Sequence, residues 1–189
     1  MIFMLGISEE EEMQQRLYGP EGWTLDSGVW NVASRSEPDE EGAIVDGKPT
    51  TDYVRFNRLG SAGAQTLLDN LPAEALKDKQ NCGPELERLL KACAAHQDKV
   101  LLSGYCIAPE RTDERITVDA VWVSDELAPE LEGLSVKRSH DKNCHCKRVW
   151  EAVAKRFNLN ADTMPDDITH RAALGRSPQT SEGWYFWWD

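Results

Sequence analysis

The sequence predicts an α+β fold, in which an antiparallel or mixed sheet of about four to five strands packs against several helices in one domain of residues 1–189. Two strands rich in Val, Ile, Leu, Trp and Tyr are predicted at 99–107 and 115–123. Helices are predicted at 84–96 and 142–158, because apolar residues recur there at i, i+3, i+4 and i+7. Helices that cover such a sheet define the α+β class.

Local signals predict the elements of the first half of the chain. Ser8 precedes four glutamates, and a capping hydroxyl followed by acids favours a helix that ends before Gly19 and Pro20. A short strand is predicted at 29–33 and another at 51–59, where apolar and polar residues alternate. The residues between these two strands, rich in Gly, Pro and acids, indicate a loop or hairpin tip.

The remaining elements follow from turn and breaker residues. Gly60 and Ser61 turn the chain into a helix that Pro72 stops, and residues 73–77 add a further turn. The loop between the two long strands carries charged residues, Glu114 among them, that are expected to be solvated. A short helix is predicted at 166–174.

Composition limits the classes of function. The net charge of the chain is −12. Residues 1–50 hold 11 acids against 3 bases, and so acidic a segment can lie in a peripheral, solvated position. Such a balance does not favour nucleic acid as a partner. No apolar run reaches the roughly 18 residues of a membrane helix, so no membrane association is expected. Five cysteines in a chain of this size favour reduced thiols and the cytoplasm.

The chain's densest group of chemically versatile side chains lies in a basic segment. His140, Cys144, His145 and Cys146 fall within seven residues, and 137–156 carries seven Lys/Arg against two acids. Thiols and imidazoles are zinc ligands, so these four residues are the candidate metal site. The leading prediction is that the protein has no cofactor. The alternative is that these four residues bind Zn²⁺.

Helical phase divides this cluster. In a helix over 142–158, Cys146 lies on the apolar stripe and Cys144 on the opposite face, about 200° away. Both thiols then reach one metal only if the first turn is unwound. A second interpretation is a reactive thiol, because Cys144 would lie in the first turn beside basic residues that stabilise a thiolate.

An anion site is a further candidate at the turn after strand 51–59. Arg55, Arg58 and Ser61 lie there next to a predicted helix start, where free amides can hold a phosphate. The segment matches neither of the glycine-rich phosphate-binding motifs. An ordinary strand-to-helix turn is the alternative.

Five consecutive aromatic residues, here called the aromatic tail, precede Asp189: Trp184, Tyr185, Phe186, Trp187 and Trp188. In an extended conformation Trp184, Phe186 and Trp188 share one face, while the other two share the opposite face. The segment is either a final strand in the core or a surface that binds a partner, since Trp and Tyr dominate interface energetics.

The sequence shows no Ser/His/Asp order and no paired-carboxylate motif, which favours a non-enzymatic protein. The leading hypothesis is a cytoplasmic interaction protein, an adaptor or inhibitor, that binds a protein partner or associates with itself. The alternative is a small zinc-binding or thiol-dependent protein centred on residues 140–146. A third is nucleic-acid binding through the basic segment 137–156.

Overall fold

The computed structural model describes residues 16–38, 40–137, 144–172 and 182–189. The strands within these residues are β1 (Glu37–Pro38), β2 (Ile44–Val45), β3 (Lys48–Pro49), β4 (Tyr53–Leu59), β5 (Val100–Ile107), β6 (Arg115–Ser124), β7 (Asp167–Ala172) and β8 (Glu182–Trp187). The helices are α1 (Trp23–Asp26), α2 (Val29–Arg35), α3 (Ser61–Asn70), α4 (Ala73–Leu76), α5 (Leu86–Ala95) and α6 (Cys146–Phe157). Short 3₁₀ turns lie at Gln80–Cys82, Asp125–Leu127 and Pro129–Leu131.

Six strands form one antiparallel sheet in the order β1-β4-β5-β6-β8-β7, and β2 pairs with β3 in a small separate sheet. The predicted α+β class is confirmed, and the main sheet is slightly larger than predicted. The strands predicted at 51–59, 99–107 and 115–123 correspond to β4, β5 and β6, neighbours in the sheet. Their alternating or β-branched sequences suit a pleated surface.

The core lies between the helices and one face of the sheet. Its largest fully buried side chains include Trp30, Phe56, Leu102, Phe186 and Trp188. Trp150 of α6 packs on two of them, with ring centroids 5.7 Å from Phe186 and 5.3 Å from Trp188. The opposite face, here called the outer face, carries Tyr53, Arg55, Tyr105, Tyr185 and Trp187.

The strand predicted at 29–33 is wrong, because these residues begin helix α2. Gly28 precedes them with φ 71°, a left-handed conformation that glycine adopts without strain. Val29, Trp30, Val32 and Ala33 are all buried, which is the i, i+1, i+3, i+4 pattern of a helix face. A short apolar run is compatible with either element, and packing against the core decided between them.

The helix predicted at 166–174 is also wrong within the described residues, where 167–172 form strand β7. This strand pairs along its whole length with β8, so pairing with a distant aromatic strand overrides a weak local preference. The helix predicted from 142 begins at Cys146. The helix predicted after Ser8 lies mostly outside the described residues.

The prediction that the charged residues of the β5–β6 loop are solvated is wrong for Glu114, which is buried. Its side chain is 1% exposed and accepts hydrogen bonds from the backbone N–H groups of Gly22 and Thr24, at 3.0 and 2.9 Å. The Thr24 hydroxyl donates to the same carboxylate at 2.5 Å. A buried charge is stable only with such partners, which the local sequence does not reveal.

Replacing Gly104 with alanine is expected to destabilise the sheet by about 1–3 kcal/mol. Gly104 lies where the β5–β6 register shifts, and a Cβ there would overlap the Thr117 carbonyl oxygen and lie 2.8 Å from Val118 Cα. Backbone atoms cannot move aside as a side chain can. Urea denaturation measures the effect, with Gly60→Ala as the control because a Cβ at Gly60 meets nothing within 4 Å. Equal losses from the two changes would contradict this steric explanation.

Candidate functional site

A groove of about 980 Å³ lies between edge strand β7 and the segment that follows β6. Its volume is at the upper end of the range of small-molecule sites, which leaves room for several side chains of a partner. The lining residues are Asp125, Ala128, Pro129, Leu131, Glu132, Gly133, Leu134, Ser135, Val136, Lys137, Asp167, Ile168, Thr169, His170 and Trp184. Four consecutive residues of β7 therefore form one wall, and the consecutive residues 131–137 form the other.

The floor of the groove is apolar. Ala128, Leu131, Ile168 and Trp184 are buried, and the half-buried residues of the facing wall pack against the same core. Ile168 and Trp184 project to the core side of β7 and β8, since alternate residues of a strand share a face. The groove is thus a continuation of the core to the surface.

The rim of the groove is polar and mainly acidic. His170 Nε2 lies 2.8 and 3.0 Å from the two carboxylate oxygens of Asp125, and its ring meets Trp184 edge-on at 4.9 Å. An ionised carboxylate only accepts hydrogen bonds, so Nε2 donates to it. Glu132 and Asp167 add two further acids, against the single lysine Lys137.

Residues 144–146 hold one wall of the groove in place. The His145 backbone N–H donates to the Ser135 carbonyl at 3.1 Å, and the Ser135 N–H donates to His145 Nδ1 at 3.2 Å. Cys144 Sγ lies 3.8 Å from the Lys137 carbonyl oxygen. The predicted Cys/His cluster is therefore a neighbour of the groove.

Cys144 and Cys146 are joined by a disulfide with their Cα atoms 5.6 Å apart. This corrects the prediction that the two thiols lie on opposite helix faces, because α6 begins at Cys146 and Cys144 precedes it. It also differs from the reduced state expected for all five cysteines. Cys82, Cys93 and Cys106 are free thiols.

The predicted metal site is brought together only in part. His140 lies outside the described residues, and the His145 imidazole bonds the Ser135 amide. Among the residues that the structure describes, no three or more His, Cys, Asp or Glu side chains are grouped so as to hold a metal ion. Zinc binding by residues 140–146 stays a prediction.

The aromatic tail divides between the two faces of the sheet, as its alternation predicts. Trp184, Phe186 and Trp188 are buried in the core, whereas Tyr185 and Trp187 are half-buried on the outer face. The Arg171 guanidinium carbon lies 3.5 Å from the centroid of the Tyr185 ring. Within the tail, the side chains that a partner could contact are therefore Tyr185, Trp187 and the edge of Trp184 that lines the groove.

The three predicted anion-binding residues have separate surroundings. Arg55 lies on the outer face, where its guanidinium bonds Asp119 at 2.8 Å. Arg58 has φ 56° at the irregular end of β4 and lies 3.8 Å from a Glu37 oxygen, while Ser61 begins α3. Burial raises the pKa of the Asp119 carboxyl, and Arg55 acts in the opposite direction. The Asp119 carboxylate therefore occupies the position beside the Arg55 guanidinium that a bound anion would take.

The charged segments of the sequence are only partly described. Residues 1–15, with four glutamates, lie outside the described residues, as do Arg138 and Lys142 of the basic segment. Within α6, Lys147 lies 3.7 Å from Glu151, and Arg156 bonds Glu130 at 3.0 Å. Two of the basic side chains offered to nucleic acid are thus paired with acids.

The groove could not be predicted from the sequence, because no motif marks the residues that line it. Residues 125–138 show no helical or strand periodicity in the sequence, and His170 lies in the helix predicted at 166–174. The two adjacent β-branched residues Ile168 and Thr169 were the available signal for a strand.

Comparisons with protein-family models, with curated proteins and with solved structures found no match for this chain. Within the described residues, no helix has the length and apolar character that crossing a membrane requires.

Proposed function

We propose that this protein is a non-enzymatic interaction protein whose groove binds an extended, basic peptide segment of a partner protein. The observation that carries the proposal is that four consecutive residues of edge strand β7 line the groove. A peptide in the groove would lie beside β7 as an additional strand, the recognition mode known as β-strand addition.

The backbone of β7 supports this mode. β7 is the last strand of the sheet, and no described strand pairs with its outer side. Every second residue of an edge strand turns its N–H and C=O groups away from the neighbouring strand, where they can bond another chain. Residues 167–170 would supply these groups to a peptide.

Side chains of the groove would select the peptide. Every second side chain of an added strand points the same way, so apolar residues at alternate positions would enter the floor formed by Ala128, Leu131, Ile168 and Trp184. The rim carries the acids Asp125, Glu132 and Asp167 against Lys137, within a chain of net charge −12. Lysine or arginine beside the apolar positions would complement this charge and speed association.

The cytoplasm is the proposed location. The three free cysteines, two of them buried, are typical of proteins in a reducing compartment. The half-buried Tyr185 and Trp187 offer a second proposed contact for a partner or for another copy of the chain.

Ser135→Trp is expected to weaken peptide binding by about tenfold or more, because an indole at this exposed wall position fills the groove. Random displayed peptides of about ten residues, the length of a long strand, are selected on the full chain. Sequences with alternating apolar residues and added Lys or Arg should be enriched. Their affinities for the two proteins are compared by fluorescence polarisation.

Ser34→Trp is the matched control, since Ser34 is exposed on α2 and does not line the groove. Deuterium exchange of the amides of 167–170 should slow when a selected peptide binds. Peptides that bind the Ser135→Trp protein as tightly as the original chain, or that leave this exchange unchanged, would contradict the proposal.

A further inference from the structure

We propose that the Cys144–Cys146 disulfide is a redox-active thiol-exchange site, which reacts with the thiols of small molecules or of other proteins. The bond spans a single residue at the start of α6, beside the groove wall, and its Cys144 end is half-exposed. Disulfides in cytoplasmic proteins are usually transient and catalytic or redox-sensing, so a bond of this kind fits the proposed location.

The two sulfurs differ in access. Cys144 precedes the helix and is half-exposed, whereas Cys146 is 6% exposed and packs in the core. An incoming thiolate therefore reaches Cys144 Sγ first. Cys146 is then the leaving group, and in the reverse direction it is the thiol that closes the ring.

The position of Cys146 favours its departure as a thiolate. It is the first residue of a 12-residue helix, whose N-terminal amides and dipole stabilise negative charge. The exposed Lys147 and Arg148 follow it directly. His145 is turned towards Ser135 and not towards the first turn, since its Nδ1 bonds the Ser135 amide. A stabilised leaving thiolate speeds exchange.

The reaction balances with a dithiol as the reductant. One thiolate of the dithiol attacks Cys144 Sγ, the Cys144–Cys146 bond breaks, and Cys146 leaves as a thiolate that takes up a proton. The second thiol of the dithiol, as a thiolate, then attacks the dithiol sulfur that is bonded to Cys144. Cys144 leaves as a thiolate and takes up a proton. The protein disulfide is thereby reduced by two electrons to two thiols, and the dithiol is oxidised to its disulfide.

The other cysteines provide internal controls. Burial raises the pKa of the Cys93 thiol to about 12 and also raises that of Cys106, so neither should react in the folded protein. Both become reactive if a variant unfolds. Cys82 is exposed and is removed by Cys82→Ser in every protein compared.

The test begins with the full chain carrying Cys82→Ser, equilibrated with oxidised glutathione. Mass spectrometry after alkylation should show no alkyl group on Cys144 or Cys146, and one on each after brief treatment with dithiothreitol. Cys93 and Cys106 should stay unlabelled throughout. Labelling of Cys144 and Cys146 before reduction, or reduction that requires denaturant, would overturn the proposal.

Two further variants test the assigned roles. In the Cys146→Ser variant, oxidised glutathione should form a stable mixed disulfide with Cys144. In the Cys144→Ser variant, the buried Cys146 should form its mixed disulfide with glutathione at least about tenfold more slowly. Equal rates would overturn the assignment of Cys144 as the attacked sulfur. Unlabelled Cys93 and Cys106 in each variant show that the fold is intact.

Discussion

Replacing Glu114 with alanine is expected to lower the free energy of unfolding by about 3–5 kcal/mol, the range observed when one partner of a buried charged network is removed. The carboxylate accepts from two backbone amides and from the Thr24 hydroxyl, which in turn accepts from Trp30 Nε1 at 2.9 Å. Alanine would leave these buried donors without their acceptor. Urea denaturation of the full chain measures the loss.

Two further changes separate charge from hydrogen bonding. Glu114→Gln retains one acceptor oxygen but directs an NH₂ group at donors, so an intermediate loss is expected. Glu110→Ala, at an exposed glutamate nearby, should change the stability by less than about 0.5 kcal/mol. A loss below about 1 kcal/mol for Glu114→Ala would show that the network does not hold the N-terminal helices to the sheet.

Trp188→Ala is expected to destabilise the protein by about 3–5 kcal/mol, the usual effect of removing a fully buried indole. The residue is 1% exposed, packs edge-on against Trp150 at 5.3 Å, and lies against Gly83. Its removal leaves a cavity that the surrounding aromatic side chains cannot fill. Thermal and urea unfolding measure the loss.

Trp187→Ala is the matched control, one residue earlier at the end of β8. The side chain is half-buried on the outer face, so a loss of about 1 kcal/mol is expected. If the two substitutions were equally destabilising, the division of the tail between core and outer face would be wrong. A Trp187→Ala protein that keeps its stability can then be tested for loss of partner binding or self-association.

The sequence predicted the central part of the fold well. β4, β5 and β6 follow from β-branched and alternating residues, and α5 and α6 from apolar stripes. Errors fell at 29–33 and 166–174, where a short or polar run is compatible with either element. In both cases contacts with distant residues decided the conformation, through the core for α2 and through β8 for β7.

The candidate site was predicted less completely, for a related reason. Composition and spacing identified residues 140–146 as chemically unusual, and the structure places Cys144, His145 and Cys146 beside the groove. The two thiols were predicted on opposite faces because the helix was predicted to start at residue 142, four residues before α6 begins. Once the helix begins at Cys146, the chain before it is able to turn Cys144 back to form the disulfide.

The sequence by itself determined the α+β class and the strands at the centre of the sheet, because these depend on local periodicity and burial. It also determined which tail residues share a face, since side chains alternate along any strand. Only the tertiary structure decided that 167–170 and 131–137 face each other across a groove, and that Glu114 is buried. Those features depend on pairs of segments far apart in the chain, whose approach is set by packing and leaves no local pattern.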